Sequence, residues 1–257
     1  MPEKRMKAKN KLLLLVFFLS LASIKASLDL TAFLGSPGVG SAEEGLSLGI
    51  ILLGLWSVSF ILMVYAIIRG LQRLLAIGIA IVLSSLSFFL FLLIFLLYLP
   101  EIVSIILSAF FSLLVFTRHR DLFKIFLTFS IGSLLASLYP LMTILIFSIL
   151  LAIADLIATL RGPMRILAGS LFKLPEKPSE ILVLPLDEIG IGLGDLIVYS
   201  SLPASVAINI SIELSLITII GILIGLYLSL YRASKRGIVP ALPIPVAIAT
   251  MILLPFI

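Results

Sequence analysis

Two carboxylates stand where a chain seldom puts one. Asp155 lies in the apolar run Leu141–Leu160, and Asp195 lies in the run Ile189–Ile208, directly after the alternate glycines Gly190, Gly192 and Gly194. A charge near the bilayer centre costs roughly 2.5–3.5 kcal/mol on insertion scales, so a residue of this kind ordinarily has a use. Two carboxyl groups close together in a poorly solvated site cannot both ionise cheaply; one keeps its proton and the pair titrates as a unit. Such a pair holds a base to take a proton from water and an acid to protonate a carbonyl or a leaving amine. That is the chemistry of aspartic peptide hydrolysis, which calls for no metal or cofactor. The same two acids also suit a proton or cation site in a transporter or channel, and on these residues alone both readings stand.

The elements that position the acids follow from composition. Of 257 residues, 61% are hydrophobic and 12% charged, about half the charge of an ordinary soluble domain. The chain reads as an all-α polytopic membrane protein. It contains no cysteine, so disulfides, thiolate metal sites and a cysteine nucleophile are excluded together.

A span needs about 20 apolar residues. The runs are Leu12–Ile24, Leu46–Ile68, Leu74–Leu99, Ile102–Thr117, Leu122–Leu138, Leu141–Leu160, Ile189–Ile208, Ile210–Tyr231 and Pro240–Ile257, giving nine spans, the fourth short for its task. The first run is also short. Its basic flank, with Ala22 and Ala26 beyond, fits a secretory signal as well; the reading taken is a retained helix extending to about Leu34. The chain divides into a six-helix part, 1–160, a polar loop, 161–188, and a three-helix part, 189–257.

Charge tests the count independently. With the N-terminus inside, seventeen of the eighteen Lys and Arg residues fall on inside segments and only Lys25 falls outside, as the positive-inside rule requires. The N-terminus is therefore expected in the cytoplasm and the C-terminus outside. The basic balance is explained by anionic headgroups at the inner leaflet and calls for no nucleic acid.

Asp155 precedes the inner flank Arg161, and Asp195 follows Glu188. At ~1.5 Å per helical residue, both acids sit about 9–10 Å from the inner boundary on consecutive antiparallel helices. Glycines beside Asp195 permit close helix approach. Of the remaining acids only Glu213 lies within an apolar run, near its outer end, where it can reach the interface. His119, between Arg118 and Arg120, reads as part of a solvated basic turn. Phe88, Phe89, Phe91 and Phe95 lie in a wholly apolar span and face lipid or other helices.

Two motifs add a resemblance. Gly192-Leu193-Gly194-Asp195 in the seventh span and Pro240-Ala241-Leu242-Pro243 opening the ninth together resemble the presenilin and signal peptide peptidase family of GxGD intramembrane aspartyl proteases. The chain looks like a compact, archaeal-type presenilin homologue. The resemblance implies that Asp155 and Asp195 are the catalytic pair. It also implies that Gly192, Leu193, Gly194, Pro240, Ala241 and Leu242 shape the active site or contact substrate. It implies single-span membrane proteins with outside N-termini as substrates, and residence as a multi-pass protein in a cell membrane. Presenilins use partner subunits and signal peptide peptidases do not; accessory subunits, a homo-oligomer and cutting of the 161–188 loop all stay open.

One departure is Ala154 beside Asp155, where the family usually has tyrosine. It is the sole support for an inert relative that binds membrane proteins without cutting them. A transporter should often show repeat symmetry, and the front six spans hold no partner motif for either acid. Proline suits a helix start, so Pro240 is also expected to open the ninth helix, with Pro243 and Pro245 loosening it and freeing backbone groups for substrate. The β-prone piece Ile181–Pro185 is expected to add a strand to an extended substrate, and Met164–Lys173 to form an interfacial amphipathic helix.

Overall fold

Long apolar runs leave their backbone polar groups no solvent partner in a bilayer, so each must close its hydrogen bonds within a helix. The computed structural model describes residues 2–35, 37–68, 72–117, 120–160, 183–186, 189–236 and 240–257. Among them are nine α-helices: α1 Pro2–Leu34, α2 Ala42–Ile68, α3 Gln72–Leu96, α4 Glu101–Leu113, α5 Arg120–Leu138, α6 Leu141–Leu160, α7 Leu193–Asn209, α8 Ile212–Arg236 and α9 Pro243–Leu253. Short 3-10 turns, Leu114–Phe116 and Leu254–Phe256, extend α4 and α9. Four helical stretches among the described residues, in α1, α3, α5 and α8, are long and apolar enough to cross a membrane. Shorter apolar stretches lie in α4, α6 and α9.

One expectation is corrected. Ile189–Gly192 is not helix: it forms strand β2, antiparallel to β1, Val183–Leu186, with Val183 opposite Gly192 and Leu186 opposite Ile189. Alternate glycines weaken a helix by about 1 kcal/mol each, and a four-residue apolar stretch suits a strand once a partner exists. The β-prone loop piece is that partner, so β1 lies within 161–188 yet pairs across its boundary. The rest of that loop, Met164–Lys173 included, lies outside the described residues, as does His119.

α1 is an integral part of the core. Leu12, Val16, Ser20, Ser23, Ser27 and Leu30 are all buried at spacings of three or four, the helical stripe that faces a neighbour. The stripe meets α5 and α7, and small residues let the three backbones approach. Ser23 and Ser133 hydroxyls share a hydrogen bond of 3.0 Å, Ser137 donates to the Ser27 carbonyl at 3.2 Å, and Ser20 donates to the Tyr199 carbonyl at 3.0 Å. A methyl group on Gly132 would collide with the Ser200 hydroxyl.

α3, α4 and α5 form a second apolar cluster. Phe91 is buried and packs edge-on against Phe111, Phe123 and Phe126, whereas Phe89 points outward. Lys25, the cation outside the inner set, pairs with Asp29 at 2.6 Å, and Tyr98 donates its hydroxyl to the same carboxylate. Lys124 is buried in the first turn of α5 and bonds Asp121 at 2.8 Å.

Candidate active site

The hairpin sets the first acid. Its second strand ends at Gly192, the N-cap of α7, in an extended conformation with φ −67° and ψ 142°. Asp195 is then the third residue of the helix, and its carboxylate accepts a hydrogen bond from the Gly192 N–H. An acidic side chain at this position reaching back to the cap amide satisfies one of the helix's orphan donors. Thus Asp195 sits in the first helical turn rather than two turns into a span. Leu193 and Leu196 are buried and lock that turn in place, while Gly194 is exposed with nothing within 4 Å of where a Cβ would stand. A Cβ on Gly192 would lie 3.3 Å from the Asp195 Oδ2, so bare backbone at that position leaves the carboxylate room.

Asp155 lies near the end of α6, which closes at Leu160. Its Oδ2 accepts the Leu242 N–H at 3.3 Å, the Ala241 amide also donates to this carboxylate, and Thr159 Oγ1 stands 3.5 Å from Oδ1. The donors at 241 and 242 precede α9. Here a second expectation changes: the helix starts at Pro243, with Leu242 as N-cap, and Pro240 precedes it in irregular backbone. The helix nevertheless tolerates its prolines: Leu242, the residue before Pro243, already has helical backbone with φ −76° and ψ −39°, and Pro245 lies in the first turn, where a missing N–H costs no hydrogen bond. Pro243 rather than Pro240 takes the proline-tolerant first position. The freed backbone groups are also occupied: the Ala241 carbonyl accepts the Tyr199 hydroxyl at 2.8 Å, and Leu242 N–H goes to Asp155.

α8 holds this segment in place. Any side chain on Gly225 would run into the Pro245 backbone, its nitrogen 2.6 Å from the Cβ position. Close contact between α8 and the start of α9 therefore requires glycine here.

The two acids are brought within electrostatic reach of each other, and Tyr199, almost fully buried, lies one turn beyond Asp195. Asp155, Asp195, Gly192, Ala241 and Leu242 thus gather at one place, while Leu193 contributes through packing and Gly194 through open space. Gly190 lies in β2, and so is a strand residue, not a helix-packing one. Sequence reasoning missed Tyr199 and Thr159, each four residues after an acid and so on the same helix face. That spacing was the available signal.

No family model matches the sequence, and no curated protein does. Thirteen solved chains match its fold. One is a crystal structure of a presenilin family intramembrane aspartate protease in space group C222, superposing with a TM-score of 0.72 over 96% of this chain and 97% of that one, at 19% identity. Another, of a presenilin family intramembrane aspartate protease in space group P2, gives a TM-score of 0.68 over 95% and 94% of the two chains, at 23% identity. The present chain has their fold. Coverage near completeness in both directions means that the likeness of fold runs over almost the full length of both chains.

Proposed function

We propose that this protein is an intramembrane-cleaving aspartyl endopeptidase, with Asp155 and Asp195 as its catalytic pair. The observation that carries the reading is the meeting of these two carboxylates, from the end of α6 and the start of α7, beside the backbone of Ala241 and Leu242. The shared fold supports it.

In this mechanism one acid is ionised and takes a proton from a bound water. The oxygen of that water attacks the peptide carbonyl carbon, and the second acid gives its proton to the carbonyl oxygen. Collapse of the tetrahedral intermediate breaks the C–N bond, and the departing nitrogen is protonated by the carboxyl group that first accepted a proton. The second carboxylate takes back a proton from one hydroxyl of the diol, restoring both acids and leaving a carboxyl product. The exposed side of Gly194 provides space for the reacting peptide beside Asp195.

A substrate helix must unwind first, because its amides are already hydrogen-bonded. The β1–β2 hairpin immediately before Asp195 offers an edge on which an extended substrate strand can be held. Leu182 lies outside the described residues, next to β1; Leu182→Pro is expected to impair cleavage while leaving melting behaviour unchanged, and unaltered cleavage would remove strand addition from the account.

The chain is read as nine spans in a cell membrane, N-terminus in the cytoplasm and C-terminus outside, acting on single-span proteins whose N-termini lie outside. Its three parts are 1–160, the 161–188 loop and 189–257, with the acids on either side of the loop. The deciding experiment is cleavage of a single-span helical peptide by purified protein in detergent, with Asp155→Asn and Asp195→Ala alongside. Cleavage by the wild type alone, with both variants folded, is the expected result. Cleavage surviving in either variant contradicts the two-acid mechanism, and an inactive wild type directs attention to proton and cation flux.

A further inference from the structure

Ala241 C=O and Leu242 N–H are the two ends of one peptide group. Its oxygen accepts the Tyr199 hydroxyl at 2.8 Å, and its nitrogen donates to Asp155 at 3.3 Å. The carbonyl and N–H of a trans peptide point in opposite directions, so this single planar unit spans the gap between α7 and α6. It links the helix that carries Asp195 to the acid on the other.

We infer that Tyr199 is a positioning residue: its phenol fixes the Ala241–Leu242 peptide, and that peptide in turn holds the Asp155 carboxylate in register with Asp195. The inference rests on the proteolytic reading above and extends it to a residue that neither motif contains. Three observations carry it. Tyr199 is held at its own backbone, where its carbonyl accepts the Ser20 hydroxyl of α1, and its side chain is 1% exposed, so the ring has one place to be. Position 199 follows Asp195 by one turn, so the phenol and the carboxylate share a helix face. The peptide being held cannot hold itself, because the Ala241 carbonyl and the Leu242 N–H precede the first turn of α9 and lie outside its hydrogen-bond ladder, which begins with the Leu242 carbonyl accepting the Val246 N–H at 3.0 Å. Hydrogen bonding at both ends of a peptide also polarises it, strengthening the donation to Asp155.

Two readouts test this, one independent of proteolysis. Hydrogen exchange at the Leu242 amide is followed in the full chain in detergent, and kcat and KM are measured on a single-span peptide, for wild type, Tyr199→Phe, and a variant with 4-aminophenylalanine at position 199. Phenylalanine keeps the ring and its packing but loses the donor; the amino analogue keeps both. The expected result is exchange at Leu242 faster by roughly tenfold in Tyr199→Phe, kcat lower by roughly tenfold with KM within about twofold, and recovery of both readouts in the amino variant. Unchanged exchange in Tyr199→Phe overturns the anchor. Faster exchange with wild-type kcat overturns the catalytic consequence. Failure of the amino variant to recover either readout assigns the effect to packing and also overturns the inference. A wild type that cleaves nothing removes the proteolytic reading, while the exchange comparison still decides whether Tyr199 holds the peptide.

Discussion

The surroundings of the two acids are built in different ways. Asp195 is held by its own stretch of chain: a strand ends, a glycine caps a helix, and the carboxylate turns back onto that cap within three residues. Asp155 comes from the last turns of a regular helix, and its donors, Ala241 and Leu242, lie 86 and 87 residues further along. One acid is positioned by local geometry and the other by tertiary packing. The first should therefore respond to changes in its own motif, and the second to any change that shifts the start of α9.

The sharpest way to separate the two is Gly225→Val. Its side chain must displace the Pro245 backbone, moving the segment that binds Asp155 without touching Asp195. A loss of about 3 kcal/mol of stability is expected, read as a lower melting temperature in detergent, together with loss of cleavage. Wild-type cleavage in this variant would show that Asp155 does not depend on the α9 start. Next is Gly192→Ala. The φ and ψ at this position suit alanine, so the only cost is a methyl group 3.3 Å from Asp195 Oδ2. Cleavage should fall by about tenfold, with stability changed by less than about 1 kcal/mol; an equal fall in both would mean the glycine serves folding alone. The smallest effect belongs to Thr159→Val. Its hydroxyl stands 3.5 Å from Asp155, at the limit of a hydrogen bond, so cleavage should stay within about twofold. A larger drop would make Thr159 a principal holder of Asp155, beside the backbone donors.

The same contrast explains what could be read in the sequence. Helices are legible where the apolar run is long, and α6 matches its run, Leu141–Leu160, at both ends. Gly192-Leu193-Gly194-Asp195 is legible because its geometry is local. The strand at Ile189–Gly192 was not, since a short apolar run fits helix and strand alike until its partner is known. The start of α9 lies three residues later than expected because proline suits a first turn and both Pro240 and Pro243 are candidates for it; packing, not composition, selects Pro243. The spacing of Tyr199 from Asp195 places it on the face of the acid, but its partner, the Ala241 carbonyl at 2.8 Å from its hydroxyl, is fixed by packing and was not legible.

The central claim is that Asp155 and Asp195 act as one unit. Residual cleavage measured for Asp155→Asn, Asp195→Asn and the double variant, all shown to be folded, tests it directly. Groups that work only together are strongly non-additive. The account predicts that each single change loses about as much activity as the double change. A single variant with near wild-type cleavage, or a double variant whose loss is the product of two partial losses, would contradict it.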